Sequence, residues 1–146
     1  MGVGNILLGD EGVGIHVIRE LQKLKLPENV ELLDIGVASF PLLSYMVGKK
    51  KVIIVDAVKA GGKAGDIYRL FPEQIEKKEG NFLSLHEMGI ANILAIFQQE
   101  IMPEKIVIIG VEPGKIKWGM ELSPPVKEKL PQLIDCILQE VKVEED

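Results

Sequence analysis

The sequence has few of the features that a secreted or membrane-inserted protein needs. Its single cysteine, Cys136, excludes an internal disulfide, and its first residues carry no secretory signal pattern. The longest apolar runs, Val52 to Val55 and Ile106 to Ile109, are as long as strands and fall far short of the ~20 residues that cross a bilayer. We therefore expect a cytoplasmic protein without membrane insertion.

Positive charge is also scarce. The chain has 17 Lys and Arg against 22 Asp and Glu, a net charge of -5, and no stripe of basic residues. Nucleic acids and anionic membranes both require concentrated positive charge, so neither is an expected partner. The lysine cluster at 49–51 is interpreted as a solvated strand end.

The sequence lacks the usual patterns of a hydrolytic nucleophile or a zinc protease. It contains no Gly-x-Ser-x-Gly elbow, and Ile90 stands where a zincin that begins at His86 needs its second histidine. Cys136 falls late in a predicted C-terminal helix, where a packed or half-exposed thiol is expected. The other histidine, His16, lies off the apolar stripe of its predicted helix and is interpreted as a surface residue.

The chain does contain an alternation of helical and strand patterns over its 146 residues, of which 47% are hydrophobic. This length predicts a single domain covering residues 1–146. The alternation predicts a three-layer α/β/α sandwich around a mostly parallel twisted sheet, with sites at the carboxyl ends of the strands. Predicted strands cover 30–35, 52–55, 66–70 and 106–111, and predicted helices cover about 12–24, 40–47 and 86–99 and a segment from Pro124.

The sequence predicts that the first strand of this fold is missing from the chain. A glycine turn such as Gly2-Val3-Gly4 normally follows a strand, yet only Met1 precedes it. The corresponding slot in the sheet is then empty, filled by residues 2–8 in strand form, or filled from another molecule. Because unpaired backbone groups are costly, we expect this chain to be less stable than one extended upstream.

Three potential ligands fall where elements begin or end. Glu11 lies in a glycine turn, Asp56 follows the apolar run 52–55, and His86 falls in the first turn of a helix that a Ser84-to-Glu87 capping box opens. We expect these positions to converge at the carboxyl edge of a parallel sheet. Two carboxylates and an imidazole suit nickel, zinc or iron and leave coordination positions open for a substrate, which predicts a metal-contacting site.

Two other features leave alternatives open. Gly2, Gly4 and Asp34 partly match a dinucleotide-binding pattern, but Leu7 stands at the third glycine position and the acidic turn would repel a pyrophosphate. Nucleotide binding therefore ranks below metal binding. Trp118 and Met120 precede the C-terminal helix, where they either pack into the core or form a lip that faces the substrate.

The motifs together resemble the [NiFe]-hydrogenase maturation endopeptidases, which process the C terminus of the hydrogenase large subunit. The resemblance extends over nearly the whole chain, and its N-terminal motif is specific. The matching segments are the run Gly2 to Gly14, Asp56 after its strand, Ser84 to Gly89, Val111 to Pro113 and Leu122 to Pro124.

The resemblance implies a cytoplasmic peptidase that removes a C-terminal extension from the large-subunit precursor once nickel has been inserted. Glu11, Asp56 and His86 match the catalytic residues of the family that contact the metal. The nickel then belongs to the precursor, and no permanently bound cofactor is indicated. A metal-polarised carbonyl or a metal-activated water would take the place of a conventional nucleophile.

The chain departs from the family pattern at the second strand, where Asp34-Ile35-Gly36 continues into Val37 in place of the usual Gly-Thr. This departure puts in doubt any hydroxyl contact expected there. Two alternatives to the peptidase remain: a chaperone that senses the metal and holds the precursor without cutting it, and a nucleotide-binding α/β enzyme.

Overall fold

The computed structural model describes residues 1–37, 44–72, 74, 103–114 and 116–143. The described helical elements are a 3-10 turn, η1 (Gly9–Gly12), and helices α1 (Val13–Leu21) and α2 (Pro124–Val143). The described strands are β1 (Gly2–Val3), β2 (Asp34–Gly36), β3 (Lys51–Ala57), β4 (Ile67–Leu70) and β5 (Lys105–Val111). Neither described α-helix combines the length and apolarity that crossing a membrane requires.

These strands form one sheet in the order β2-β1-β3-β5-β4. Strands β2, β1, β3 and β5 run parallel, and β4, the last strand in this order, pairs antiparallel with β5. The longest pairing joins β3 to β5, from Lys51 opposite Lys105 to Ala57 opposite Val111. The predicted α/β class and mostly parallel sheet are therefore confirmed, and the carboxyl ends of four neighbouring strands share one edge.

A first strand is present and is not missing, which agrees with the alternative that residues 2–8 fill its slot, although only Gly2 and Val3 form the strand. Gly2 pairs with Asp34 of β2 and with Val55 of β3, so the two-residue strand β1 lies in the interior of the sheet. The Met1 amino group donates to the Ile53 carbonyl at 2.7 Å, and the Val55 N–H donates to the Met1 carbonyl at 2.8 Å. The slot is thus filled by the start of the glycine motif, because two interior strands need backbone partners there.

The second strand is shorter than the strand predicted at 30–35 and begins later. The observed β2 begins at Asp34 and ends at Gly36, while residues 30–33 have no strand structure. Gly2 donates to the Leu33 carbonyl, and Gly4 donates to the Gly36 carbonyl, both at 2.9 Å. Since β1 can pair with so few residues, β2 forms only beside it.

Helices α1 and α2 cover one face of the sheet with an apolar core. Val13, Val17 and Leu21 of α1 are buried against it, as are Val126, Leu133 and Ile137 of α2. Helix α1 approaches the strands closely at Gly14, where an added Cβ would lie 2.3 Å from the Val55 carbonyl oxygen. This contact holds the glycine motif against β1 and β3.

The opposite face of the sheet carries a second core cluster. Met46, in a helical stretch at 44–46, packs there with Ile54, Val58 and Ile108. Half of the helix predicted at 40–47 and the whole helix predicted at 86–99 lie outside the described residues. Among the described residues, the helical stretch at 44–46 packs on this face.

Candidate active site

The turn that carries Glu11 folds back on the end of β1. Asn5 donates its N–H to the Glu11 carbonyl at 3.1 Å, and the Glu11 N–H donates to the Leu8 carbonyl at 3.2 Å. Gly4 has a φ of 148°, and a Cβ added there would lie 2.0 Å from the Glu11 carbonyl oxygen. Only glycine permits this approach, so Gly4 fixes the backbone of Glu11 beside the strand end. The Glu11 residue itself is half-buried.

Asp56 lies at the same edge of the sheet. It occupies the second-to-last position of β3, directly after Val55, which pairs with Gly2 of β1. Its side chain is fully buried, and its Oδ1 accepts the Ala57 N–H at 2.8 Å. The η1 turn also contacts β3. Asp56 is therefore at the carboxyl end of β3, and Glu11 lies in the turn that follows the neighbouring strand β1, at the same edge of the sheet.

The third predicted ligand, His86, lies outside the described residues. Within the part of the chain that the structure describes, no three Cys, His, Asp or Glu side chains are grouped so that they could hold a metal ion. Glu11 and Asp56 alone provide two carboxylates of the oxygen-donor type that divalent cations accept. A shared site of all three residues stays a prediction.

Asp10, the residue before Glu11, has a role that local sequence patterns did not reveal. It is fully buried, and it accepts hydrogen bonds from the Gly114 N–H at 2.7 Å, the Ser123 N–H at 2.7 Å and the Ser123 hydroxyl at 2.6 Å. Ser123 immediately precedes α2, and its hydroxyl donates a hydrogen bond to Asp10. The acidic turn thus contains one buried anchor and one half-buried carboxylate.

Glu112 is a second buried carboxylate that sequence reasoning did not place in a network. It follows β5, and its Oε1 accepts the Ala60 N–H at 2.9 Å, the Gly62 N–H at 3.0 Å and the Tyr68 hydroxyl at 2.7 Å. Burial, together with this hydrogen bond to Glu112, raises the pKa of Tyr68 to about 12. The only sequence feature that pointed to Glu112 was its place in the motif Val111-Glu112-Pro113.

Two predictions about residues near this edge need correction. His16 is half-buried, and its Nε2 is buried without a hydrogen-bond partner among the described residues, so it is not a surface histidine. Burial lowers the pKa of its imidazole, although a hydrogen bond with the Met120 backbone opposes the shift. Trp118 is 79% exposed and Met120 is 52% exposed, which excludes the core-packing alternative for both.

Trp118 and Met120 border a cleft beside the η1 turn. The cleft has a volume of about 750 Å³, and Gly9, Gly114 and Ser123 also line it. Gly9 donates to the Gly119 carbonyl at 2.8 Å, and Gly119 donates to the Leu7 carbonyl at 2.9 Å. The exposed loop is therefore tied by its backbone to the turn that carries Glu11. Cys136, in contrast, is a half-buried thiol on α2, as predicted.

Comparison with known proteins gives one consistent result. The sequence model of the HycI family of hydrogenase maturation proteases matches residues 15–140. The Escherichia coli hydrogenase 2 maturation protease is 34% identical, over 94% of this chain and 86% of that protein.

Solved structures agree with the sequence match. The structure of the E. coli hydrogenase maturating endopeptidase HybD has a TM-score of 0.88 at 31% identity and covers 98% of this chain and 90% of its own. The [NiFe] hydrogenase maturation protease HybD from Thermococcus kodakarensis has a TM-score of 0.75 at 26% identity and covers 94% of each chain. The chain therefore belongs to the hydrogenase maturation protease family and is an endopeptidase.

Proposed function

We propose that this endopeptidase removes the C-terminal extension of a [NiFe]-hydrogenase large-subunit precursor after nickel insertion, and that it does so in the cytoplasm. The observation that carries the proposal is the position of two carboxylates at the carboxyl edge of the sheet. Asp56 is at the end of β3, and Glu11 is in the turn after the neighbouring strand β1. Family membership supplies the reaction class. The carboxylate pair suggests how the enzyme could recognise a cation on its substrate.

Nickel enters this proposal as part of the substrate. Glu11, Asp56 and His86 contact the ion while the precursor's own ligands hold it, so no permanently bound cofactor is needed. The borderline character of two carboxylates and an imidazole suits a divalent ion of this kind. The three residues are proposed as both the metal contacts and the catalytic residues.

The proposed chemistry is hydrolysis of one peptide bond near the bound ion. A Lewis-acidic ion can polarise a carbonyl or lower the pKa of a water, which removes the need for a serine or cysteine nucleophile. Water then adds to the scissile carbonyl, the C–N bond breaks, and the leaving amine takes a proton. Cys136 takes no part in this scheme, since it is half-buried on α2.

The proposal is tested by incubating the chain with nickel-loaded precursor and measuring the intact mass of the precursor. The expected result is the loss of a mass that corresponds to the C-terminal extension. Stable binding without a change in mass would instead indicate a metal-sensing chaperone. Cleavage elsewhere in the precursor would contradict the proposed substrate bond.

A further inference from the structure

Asp10 is a buried carboxylate that the proposed chemistry does not use. With 0% of its surface exposed, it cannot reach a substrate. Its Oδ1 accepts the Ser123 N–H, and its Oδ2 accepts both the Gly114 N–H and the Ser123 hydroxyl. Hydrogen bonds to a charged acceptor are stronger than those between neutral groups. These three hydrogen bonds therefore stabilise the Asp10 side chain in this position.

The network joins three segments that are far apart in sequence. Asp10 lies in η1, Gly114 follows β5, and Ser123 precedes α2. There is little free space around it, because a Cβ added to Gly114 would lie 2.9 Å from the Ser123 hydroxyl oxygen and 3.2 Å from Asp10 Oδ2. Movement of the η1 turn therefore requires breaking hydrogen bonds to two other segments.

Glu11 is the next residue in the same turn, which gives the network a consequence at the candidate site. Its backbone is already bonded to Asn5 and Leu8 of the same segment. Those bonds define the shape of the turn, whereas the Asp10 bonds fix the turn relative to β5 and α2. A side chain that contacts a metal depends on such supporting contacts for its orientation.

We propose that Asp10 is a positioning residue, which holds the Glu11 carboxylate in its productive place by anchoring the η1 turn to Gly114 and Ser123. The proposal rests on the proposed function for Glu11. It assigns to the two adjacent acids different tasks: Asp10 binds the protein's own backbone, and Glu11 contacts the substrate's metal.

The test compares Asp10→Asn with a matched control, Glu112→Gln. Both replace a buried carboxylate that accepts three hydrogen bonds at the same edge. The printed hydrogen bonds of the Glu112 side chain, however, go to Ala60, Gly62 and Tyr68, and none of them reaches a described residue of η1. A difference between the variants therefore reports on the position of η1 more than on the loss of a buried charge.

Cleavage of nickel-loaded precursor is measured at a temperature where circular dichroism shows each variant to be folded. We expect Asp10→Asn to lower kcat by about 10- to 100-fold with a much smaller change in KM, as supporting residues at metal sites do. Glu112→Gln should keep kcat within about threefold of the unmodified chain. Equal losses in both variants would overturn the proposal, because a general loss of buried hydrogen bonds would explain them.

Ser123 supplies a second pair of variants in case Asp10→Asn does not fold. Ser123→Ala removes only the hydroxyl donor and should lower kcat less than Asp10→Asn, while Ser123→Thr keeps the hydroxyl and should restore it. Full activity of Ser123→Ala, combined with full activity of Asp10→Asn or with its failure to fold, would contradict the positioning role.

A readout without substrate separates this proposal from the proposed function. Amide hydrogen exchange at Asn5 and Glu11, whose N–H groups are bonded within the turn, should accelerate at least about tenfold in Asp10→Asn, or in Ser123→Ala if the former does not fold, and should not change in Glu112→Gln. Unchanged exchange would overturn the anchoring role even if cleavage falls. Accelerated exchange in a chain that never cleaves the precursor would retain the anchor and reject the proposed function.

Discussion

Buried carboxylates at the two edges of the sheet are stabilised in different ways. At the carboxyl edge, Asp10 and Glu112 are satisfied by backbone N–H groups and hydroxyls, and within the described residues no Lys or Arg forms an ion pair with either. At the amino edge, Glu140 of α2 is paired with Lys51 of β3 and Arg69 of β4. The first arrangement keeps negative charge at the edge where the candidate site lies, while the second neutralises it.

The amino edge has the chemistry of a structural support. The Lys51 side chain is 3% exposed, and its Nζ lies 3.1 Å from Glu140 Oε2. Burial acts to raise the pKa of Glu140, but hydrogen bonds from Arg69 and Lys51 outweigh it and hold the pKa below its ordinary value. Beside this pair lies a cavity of about 390 Å³, lined mainly by apolar residues such as Leu21, Ile53 and Ile137. Among the residues described at this edge, the buried carboxylate is already paired with two cationic side chains.

The largest expected effect comes from removing single carboxylates or the imidazole at the candidate site. Glu11→Gln, Asp56→Asn and His86→Ala should each lower cleavage of nickel-loaded precursor by about 100-fold or more, since each removes a proposed metal contact. Circular dichroism should show Glu11→Gln and His86→Ala to be folded, whereas Asp56 is buried and its variant needs a stability measurement as well.

Cys136→Ser is the control for these variants. The thiol lies on α2 and is half-buried, so its replacement should leave cleavage within about twofold of the original. Loss of activity in this variant, or retention of activity in Glu11→Gln, would show that the catalytic residues are misassigned.

The second prediction concerns stability at the amino edge. Glu140→Ala should lower the free energy of unfolding by about 3 kcal/mol, because it leaves the buried Lys51 ammonium without its carboxylate. Urea denaturation measures this value, and the cleavage rate per folded molecule should stay unchanged. A selective loss of cleavage with normal stability would remove the distinction between the two edges.

Local sequence patterns predict the strands that carry the candidate site, but they do not predict features that depend on contacts between distant residues. Strands β3 and β5 and the edge position of Asp56 follow from local apolar runs. The anchoring role of Asp10 depends on partners 104 and 113 positions away, which no local period can reveal. Likewise β1 is a strand because its neighbours need a partner, and not because its two residues have a strand pattern.

The third prediction concerns how the contribution of Glu140 to stability depends on pH. Its folded-state pKa is depressed, so its contribution to stability is complete above the ordinary value of 4.5 and is lost as pH falls below that value. The difference in unfolding free energy between the original chain and Glu140→Gln, measured from about pH 6 to about pH 3, should therefore be nearly constant at first and shrink as the pH falls below 4.5. A difference that stays constant over this range would contradict the depressed pKa.

The smallest expected effect on stability comes from the exposed loop beside the candidate site. Trp118→Ala should change the free energy of unfolding by less than about 0.5 kcal/mol, because the side chain is 79% exposed. If Trp118 forms the predicted substrate-facing lip, KM for the precursor should rise while kcat stays constant. Tyr45→Ala, an exposed aromatic residue that precedes β3, is the matched control and should leave KM unchanged.

The proposal that cleavage requires the nickel carried by the precursor is tested by comparing loaded and nickel-free precursor. The chain is incubated with the same precursor in nickel-loaded and nickel-free forms, with no free metal in the buffer, and the precursor's intact mass is followed over time. We expect the C-terminal extension to be removed from the loaded form only, because Glu11, Asp56 and His86 are proposed to act through an ion that the substrate carries. Equal cleavage of the nickel-free precursor would contradict the proposal.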